Sequence, residues 1–178
     1  MEQKFLELVN NRQSCRDFND KPLEKEVLDK ILSLGVLTPS ACNSQPWKMY
    51  VVTNEDMIKK VAKTLQDFMM NKFVDKAKAF IVLGETNAKL KVGANLKFPS
   101  DHFVKYDIGA LSAYLTLGAE SMGVSSCIIG WVNEKNLKAV LEMPEEEKVA
   151  IVVALGYSDI PKRKKARKDK ETIIKYID

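Results

Sequence analysis

Thr38-Pro39-Ser40-Ala41-Cys42-Asn43-Ser44-Gln45-Pro46-Trp47 separates a helical apolar pattern from a strand-like one. Pro39 and Pro46 remove two backbone donors and push the residues before them toward extended geometry, so residues 38–47 read as an extended loop. Such a loop exposes backbone N–H and C=O groups beside Ser, Asn and Gln side chains. Those are the groups that read the polar edge of a flat heterocycle and the hydroxyls of a polyol chain. The alternative is a plain capped connector. Trp47 packs in the core on either reading.

Upstream, Val27, Leu28, Ile31, Leu32 and Leu34 form the apolar stripe of a helix. Pro22 lies near its start, where a missing N–H costs little, and Gly35 weakens its last turn. Before it stands Arg12-Gln13-Ser14-Cys15-Arg16-Asp17-Phe18, in which two guanidiniums four residues apart bracket a hydroxyl. Arginine forks suit phosphate oxygens, and Ser adds a neutral donor. Each charge-assisted hydrogen bond is worth about 1.5–3 kcal/mol, so Arg12, Ser14 and Arg16 together suffice to anchor a phosphate. The alternative is a solvated loop whose arginines pair with Asp17 or Asp20. Phe5, Leu6, Leu8 and Val9 mark a short helix over residues 2–11.

Downstream, Met49–Thr53 reads as a strand, and Thr53 with Asp56 as the start of a helix running toward Phe68. Ala79–Gly84 is a continuous apolar run, the pattern of a strand buried on both faces. Residues 85–102 lack a clear period and read as a long loop or lid. A helix follows over Asp107–Met122, ended by Gly123. Then come a strand at Ser125–Gly130, a capped helix at Asn133–Leu141 and a second buried strand at Val149–Gly156. The basic run Pro161–Lys170 precedes an apolar end, Ile173, Ile174, Tyr176 and Ile177, which calls for burial on a partner.

Composition narrows the classes. Across 178 residues, 46% hydrophobic and 29% charged content describe an ordinary globular chain, and 28 Lys and Arg against 24 Asp and Glu leave only +4. No apolar run is long enough to cross a bilayer, and the N-terminus lacks a signal-peptide pattern, so the expected location is cytoplasmic, away from membranes. Cys15, Cys42 and Cys127 form no CxxC and read as small buried apolar side chains; a disulfide framework or metal site is not expected. The glycines form neither a dinucleotide-binding fingerprint nor a P-loop. His102, the one histidine, reads as solvent-exposed. The basic run lacks interleaved aromatics, so nucleic acid is not an expected partner.

R-x-S-x-R-x-F and P-S-x-x-N-x-Q-P-W, two dozen residues apart, together resemble the nitroreductase family. The resemblance continues through Asp107-Ile108-Gly109-Ala110, Cys127–Gly130, Val153–Tyr157 and a K-x-R element at Lys165-Ala166-Arg167. It implies an α+β sandwich with a mainly antiparallel central sheet flanked by helices, one domain over residues 1–178, and an FMN cofactor. It implies a homodimer in which residues 158–178 wrap the partner subunit. Arg12, Gln13, Ser14 and Arg16, with Lys165 and Arg167, would then hold the phosphate and ribityl end. Pro39, Ser40 and Asn43 would line the flavin ring from the other subunit. Asn71 would reach the ring's pyrimidine edge, and backbone at Gly130 and Trp131 would sit near flavin N5. The implied partners are NAD(P)H and a small electron-poor acceptor, served in turn at one slot. No catalytic side chain is required, because a flavin carries its own redox chemistry.

Overall fold

The protein is described by a computed structural model covering residues 2–177; Met1 and Asp178 lie outside it. The elements run α1 (Glu2–Asn11), α2 (Lys25–Val36), β1 (Trp47–Val52), α3 (Glu55–Thr64), β2 (Ala79–Glu85), α4 (Val92–Asn95), α5 (Val104–Ser121), β3 (Ser125–Ile129), α6 (Glu134–Leu141), β4 (Lys148–Gly156) and α7 (Lys170–Ile173). The four strands lie in the order β1-β2-β4-β3, and every pairing is antiparallel.

β2 and β4 are the central strands, and their side chains alternate between two cores as the pleat requires. Phe80, Val82, Val152 and Ala154 face one core, completed by Ile58, Val61, Ala62 and Leu65 around α3 and by Leu137 of α6. Ala79, Ile81, Leu83, Val153 and Leu155 face the other, completed by Leu28 and Ile31 of α2 and by Ile108, Leu111, Leu115 and Ala119 of α5. Helices therefore cover both sheet faces, and the fold is an α+β sandwich. Residues 79–84 are all buried, the burial that a continuous apolar run demands.

Several local expectations change. The cap of α3 is Asn54, not Thr53: its Oδ1 accepts from the N–H of Asp56 and Met57, both at 3.1 Å. That helix stops at Thr64 instead of reaching Phe68. α5 starts at Val104, which puts Asp107 inside its first turn. Residues 85–102 are not wholly loop, since α4 interrupts them. Gly35 does more than loosen a helix end. A Cβ there would lie 2.6 Å from Leu115 Cδ2, so the glycine lets α2 approach α5 closely.

Candidate cofactor site

After α1 the chain runs beside β3. Cys15 N donates to Ser126 O at 2.9 Å, and Ser14 forms an isolated parallel bridge with Ser126. Burial then sorts the motif. Cys15 and Phe18 are 1% exposed and belong to the core, and Ser14 and Arg16 face outward. Phe18 packs on Gly156, where a Cβ would stand 2.9 Å from its ring. Arg12, Gln13, Ser14 and Arg16 thereby line one wall of an open cleft of about 350 Å³. The other wall is the tail, through Arg163, Lys164, Lys165, Ala166 and Arg167. No carboxylate lines this cleft.

Asp17 pairs with Lys76 and Asp20 with Lys78, each at 3.8 Å. Neither acid pairs with an arginine; both are taken by lysines instead. Among the described residues the guanidiniums of Arg12 and Arg16 and the Ser14 hydroxyl have no hydrogen-bond or ion-pair partner. The ammonium of Lys165 donates to the carbonyl of Arg12. Burial lowers the Lys165 pKa, and the positive charges of Arg12 and Arg167 lower it further. Six cations converge on one small concavity, and an anion is what would relieve their mutual repulsion.

Tail residues 157–165 lie along their own chain. Tyr157 O accepts from Asn19 N at 2.8 Å, Asn19 Nδ2 donates to Asp159 at 2.9 Å, and Lys162 meets Glu120 of α5 at 2.6 Å. Arg163 is the site residue that sequence reasoning missed. Its guanidinium donates to Ser14 O at 2.8 Å, and its N–H and Nε both donate to Gln13 Oε1. A run of basic residues offers several registers, and nothing local marks residue 163.

The 38–47 loop is tighter than expected. Ala41–Asn43 makes a single 3-10 turn, with Ser40 Oγ accepting from Gln45 N at 2.9 Å. Gln45 Nε2 donates to Asn43 O and Oδ1, both at 3.2 Å. Cys42, Asn43 and Gln45 take left-handed backbone angles, with φ of 55°, 52° and 47°. Cys42 is exposed, unlike the buried Cys15 and Cys127, so the buried reading fails for it. Trp47 is only partly buried, packed against the α2/α5 core. Asp107 anchors the turn by accepting from Ala41 N at 3.0 Å. Its second oxygen and the Thr38 hydroxyl are buried without a partner.

A third group gathers beyond β3. Gly130 is exposed at the strand's end, and Trp131, 48% exposed, meets Phe68 edge-on at 6.1 Å. Phe68, Met69 and Asn71 all have positive φ. Asn71 spends its amide N–H on Leu65 O at 3.0 Å. Asn133 ties this segment down, donating to Asp67 at 2.7 Å through its side chain and to Thr64 O through its backbone.

The nitroreductase family model matches residues 9–157. The chain belongs to the nitroreductase family. It is 33% identical over 159 residues to a protein of Archaeoglobus fulgidus provisionally named NADH dehydrogenase/NAD(P)H nitroreductase, covering 87% of this chain and 86% of the relative. It is 24% identical to the oxygen-insensitive NADPH nitroreductase of Helicobacter pylori J99, over 98% of this chain and 97% of that one. Among solved structures, a nitroreductase family protein of Streptococcus pneumoniae superposes with a TM-score of 0.83 at 23% identity, covering 97% and 99% of the two chains. An FMN-dependent nitroreductase of Clostridium difficile gives 0.76 at 23% identity, covering 96% and 98%.

In this family member one chain brings together only part of the expected site. β3 links the cleft to Gly130: Ser126 stands opposite Ser14, and Gly130 follows about 13 Å along the strand direction. The Pro39–Asn43 loop is elsewhere. Asp107, which holds it, and Glu120, which holds Lys162 beside the cleft, sit roughly 20 Å apart along α5. Sequence reasoning saw Asp107 only as a motif match and missed its grip on the loop. Among the described residues no group of His, Cys, Asp or Glu could hold a metal ion, and no helix is long and apolar enough to cross a membrane.

Proposed function

We propose that this chain is an FMN-dependent oxidoreductase of the cytoplasm, passing hydride equivalents from NAD(P)H to a small electron-poor acceptor such as a nitro compound or quinone. The observation that carries the reading is the cleft at Arg12, Ser14 and Arg16, whose donors have no protein partner and whose lining holds no acid. A phosphate dianion fits that donor set, with Lys165 and Arg167 closing from the tail. Bound FMN would supply the redox chemistry, with NAD(P)H and acceptor using one slot in turn. The chain's own part is to bind and orient. Gly130, without a side chain, would leave room beside the reacting edge, and the exposed Trp131 and Phe68 rings would flank a flat substrate. His102 is exposed and stacked on Phe98 at 4.6 Å, and no carboxylate lines the cleft, so solvent is the assigned proton source.

The same reading makes the protein a homodimer. The Pro39–Asn43 loop lies too far from its own cleft to serve the same ring, and a second copy would bring it there. Apolar surface supports a partner: Phe5, Leu6 and Val9 on α1 are exposed, and Phe5, Leu8, Leu34, Tyr114 and Leu117 border a groove of about 390 Å³. Ile173, Ile174, Tyr176 and Ile177 are also exposed, so the wrapping segment is assigned to residues after 167, past the part docked on its own chain.

The visible spectrum of the purified protein tests the cofactor, and anaerobic addition of NADH or NADPH tests the activity. Flavin bands that bleach within the mixing time are the expected result. A protein that stays colourless after incubation with FMN would remove the reading. A flavin that binds but bleaches slowly would make it an FMN-binding protein of low turnover.

A further inference from the structure

We propose that Gln13 and Arg163 form a latch that folds the basic tail over the cleft, which makes both of them positioning residues and neither a ligand of the anion. The Gln13 amide is used at both ends. Its Nε2 donates to Pro161 O at 3.3 Å, and its Oε1 accepts from Arg163 N at 3.1 Å and Arg163 Nε at 3.3 Å. One neutral side chain thus grips two backbone groups and one guanidinium of a segment some 150 residues away. Arg163 closes the loop by donating from Nη2 to Ser14 O at 2.8 Å. Its Nε and Nη2 edge is therefore spent on the Gln13 side chain and the Ser14 carbonyl. Arg12 and Arg16, whose forks have no partner, are built differently.

The arrangement answers a physical difficulty. Lys164, Lys165 and Arg167 are brought against Arg12 and Arg16, and like charges oppose that approach. The lowered pKa of Lys165 has the same origin, after burial. A neutral amide at residue 13 and a planar fork at residue 163 supply directional bonds that hold the tail without waiting for the anion. Lysine at 163 keeps the charge but cannot reach both acceptors from one rigid plane. The functional consequence rests on the cleft being a phosphate site; the latch is a property of the chain alone.

Amide hydrogen exchange at residue 163, the one amide of the 162–167 stretch that has an acceptor among the described residues, measured on flavin-free protein, tests the latch directly. Gln13→Ala and Arg163→Ala should each raise exchange there on the order of tenfold, with the rest of the chain unchanged. Arg163→Lys should resemble Arg163→Ala. The double variant should go no further than either single one, because both remove the same device. Unchanged exchange in Gln13→Ala, wild-type exchange in Arg163→Lys, or strictly additive effects would each overturn the proposal. Titration with FMN and with riboflavin reads the consequence: the neutral Gln13→Ala change should weaken FMN several-fold and leave riboflavin alone. Equal loss of both ligands in that variant would overturn the positioning role. Should wild type bind FMN no better than riboflavin, the phosphate reading would fall while the exchange data still decide the latch. Both side chains lie at the surface, so the variants should fold, and near-UV circular dichroism verifies it.

Discussion

Residues 12–16 and residues 38–47 both offer polar groups to solvent, but they are held in different ways. Cys15 and Phe18 bury themselves on either side of Arg16, and Ser14 pairs with Ser126 of β3. The backbone of this first stretch needs no left-handed residue. The second stretch hangs between α2 and β1 and is pinned by the Asp107 carboxylate. Seven non-glycine residues with positive φ occur among those described, and six of them fall in the 42–45 and 68–71 segments. Such angles cost of order 1–3 kcal/mol each and persist where the surroundings demand them. The basic cleft thus sits on rigid backbone, and the two loops carry the strained angles.

The strongest way to break this contrast is Phe18→Ala. The ring is fully buried, so the change should cost about 3–5 kcal/mol in urea unfolding and lower flavin content with it. A variant as stable as wild type would mean the core does not fix the cleft. Next comes Arg12→Ala or Arg16→Ala, which should weaken FMN by about 1.5–3 kcal/mol in fluorescence titration and leave riboflavin nearly unchanged. Equal loss for both ligands would detach these arginines from the phosphate.

Asp107→Ala probes the other region. It frees Ala41 N but also removes a buried, unpartnered oxygen, so opposing terms should keep the stability change within about 1 kcal/mol. Turnover should fall while FMN affinity holds; the reverse pattern would put Asp107 in the phosphate half.

A smaller effect follows from Lys165. Its folded-state pKa is lowered from the ordinary 10.5, so the flavin-free folded chain holds fewer protons than the unfolded one in the window just below that value. Stability of the flavin-free protein should therefore rise with pH there. FMN favours the charged lysine, so its affinity should fall over the same window, and Lys165→Met should flatten that fall. An affinity that rises with pH would refute the placement. The smallest signal is chemical: a thiol reagent should modify exposed Cys42 before buried Cys15 and before Cys127, the pKa of which burial raises. Were a second copy to cover that loop as proposed, FMN-loaded protein should label more slowly at Cys42 than flavin-free protein, and equal rates would argue against it.

The elements were legible because their signals are one-dimensional: the 79–84 run has the pattern of a strand buried on both faces and the 27–34 stripe that of a helix facing a core, whereas the sandwich itself followed from the resemblance to the nitroreductase family. The cleft was half legible: Arg12, Ser14 and Arg16 stand in a fixed pattern, but Arg163 is defined by contacts some 150 residues away and looks like any neighbour in its run. The loop backbone was not legible, since left-handed angles at Cys42, Asn43 and Gln45 carry no glycine to announce them. Asn54 displaced Thr53 as a cap because both residues suit that role and a shift of one decides which oxygen meets the helix N–H groups.

The bridge between Ser14 and Ser126 has one more consequence. β3 is an outer strand, and its second side would otherwise present bare amides and carbonyls, a template for joining other chains. The 12–18 segment lies across the start of that side and takes up Ser126 O. The stretch that lines the basic cleft therefore also covers part of an open sheet edge.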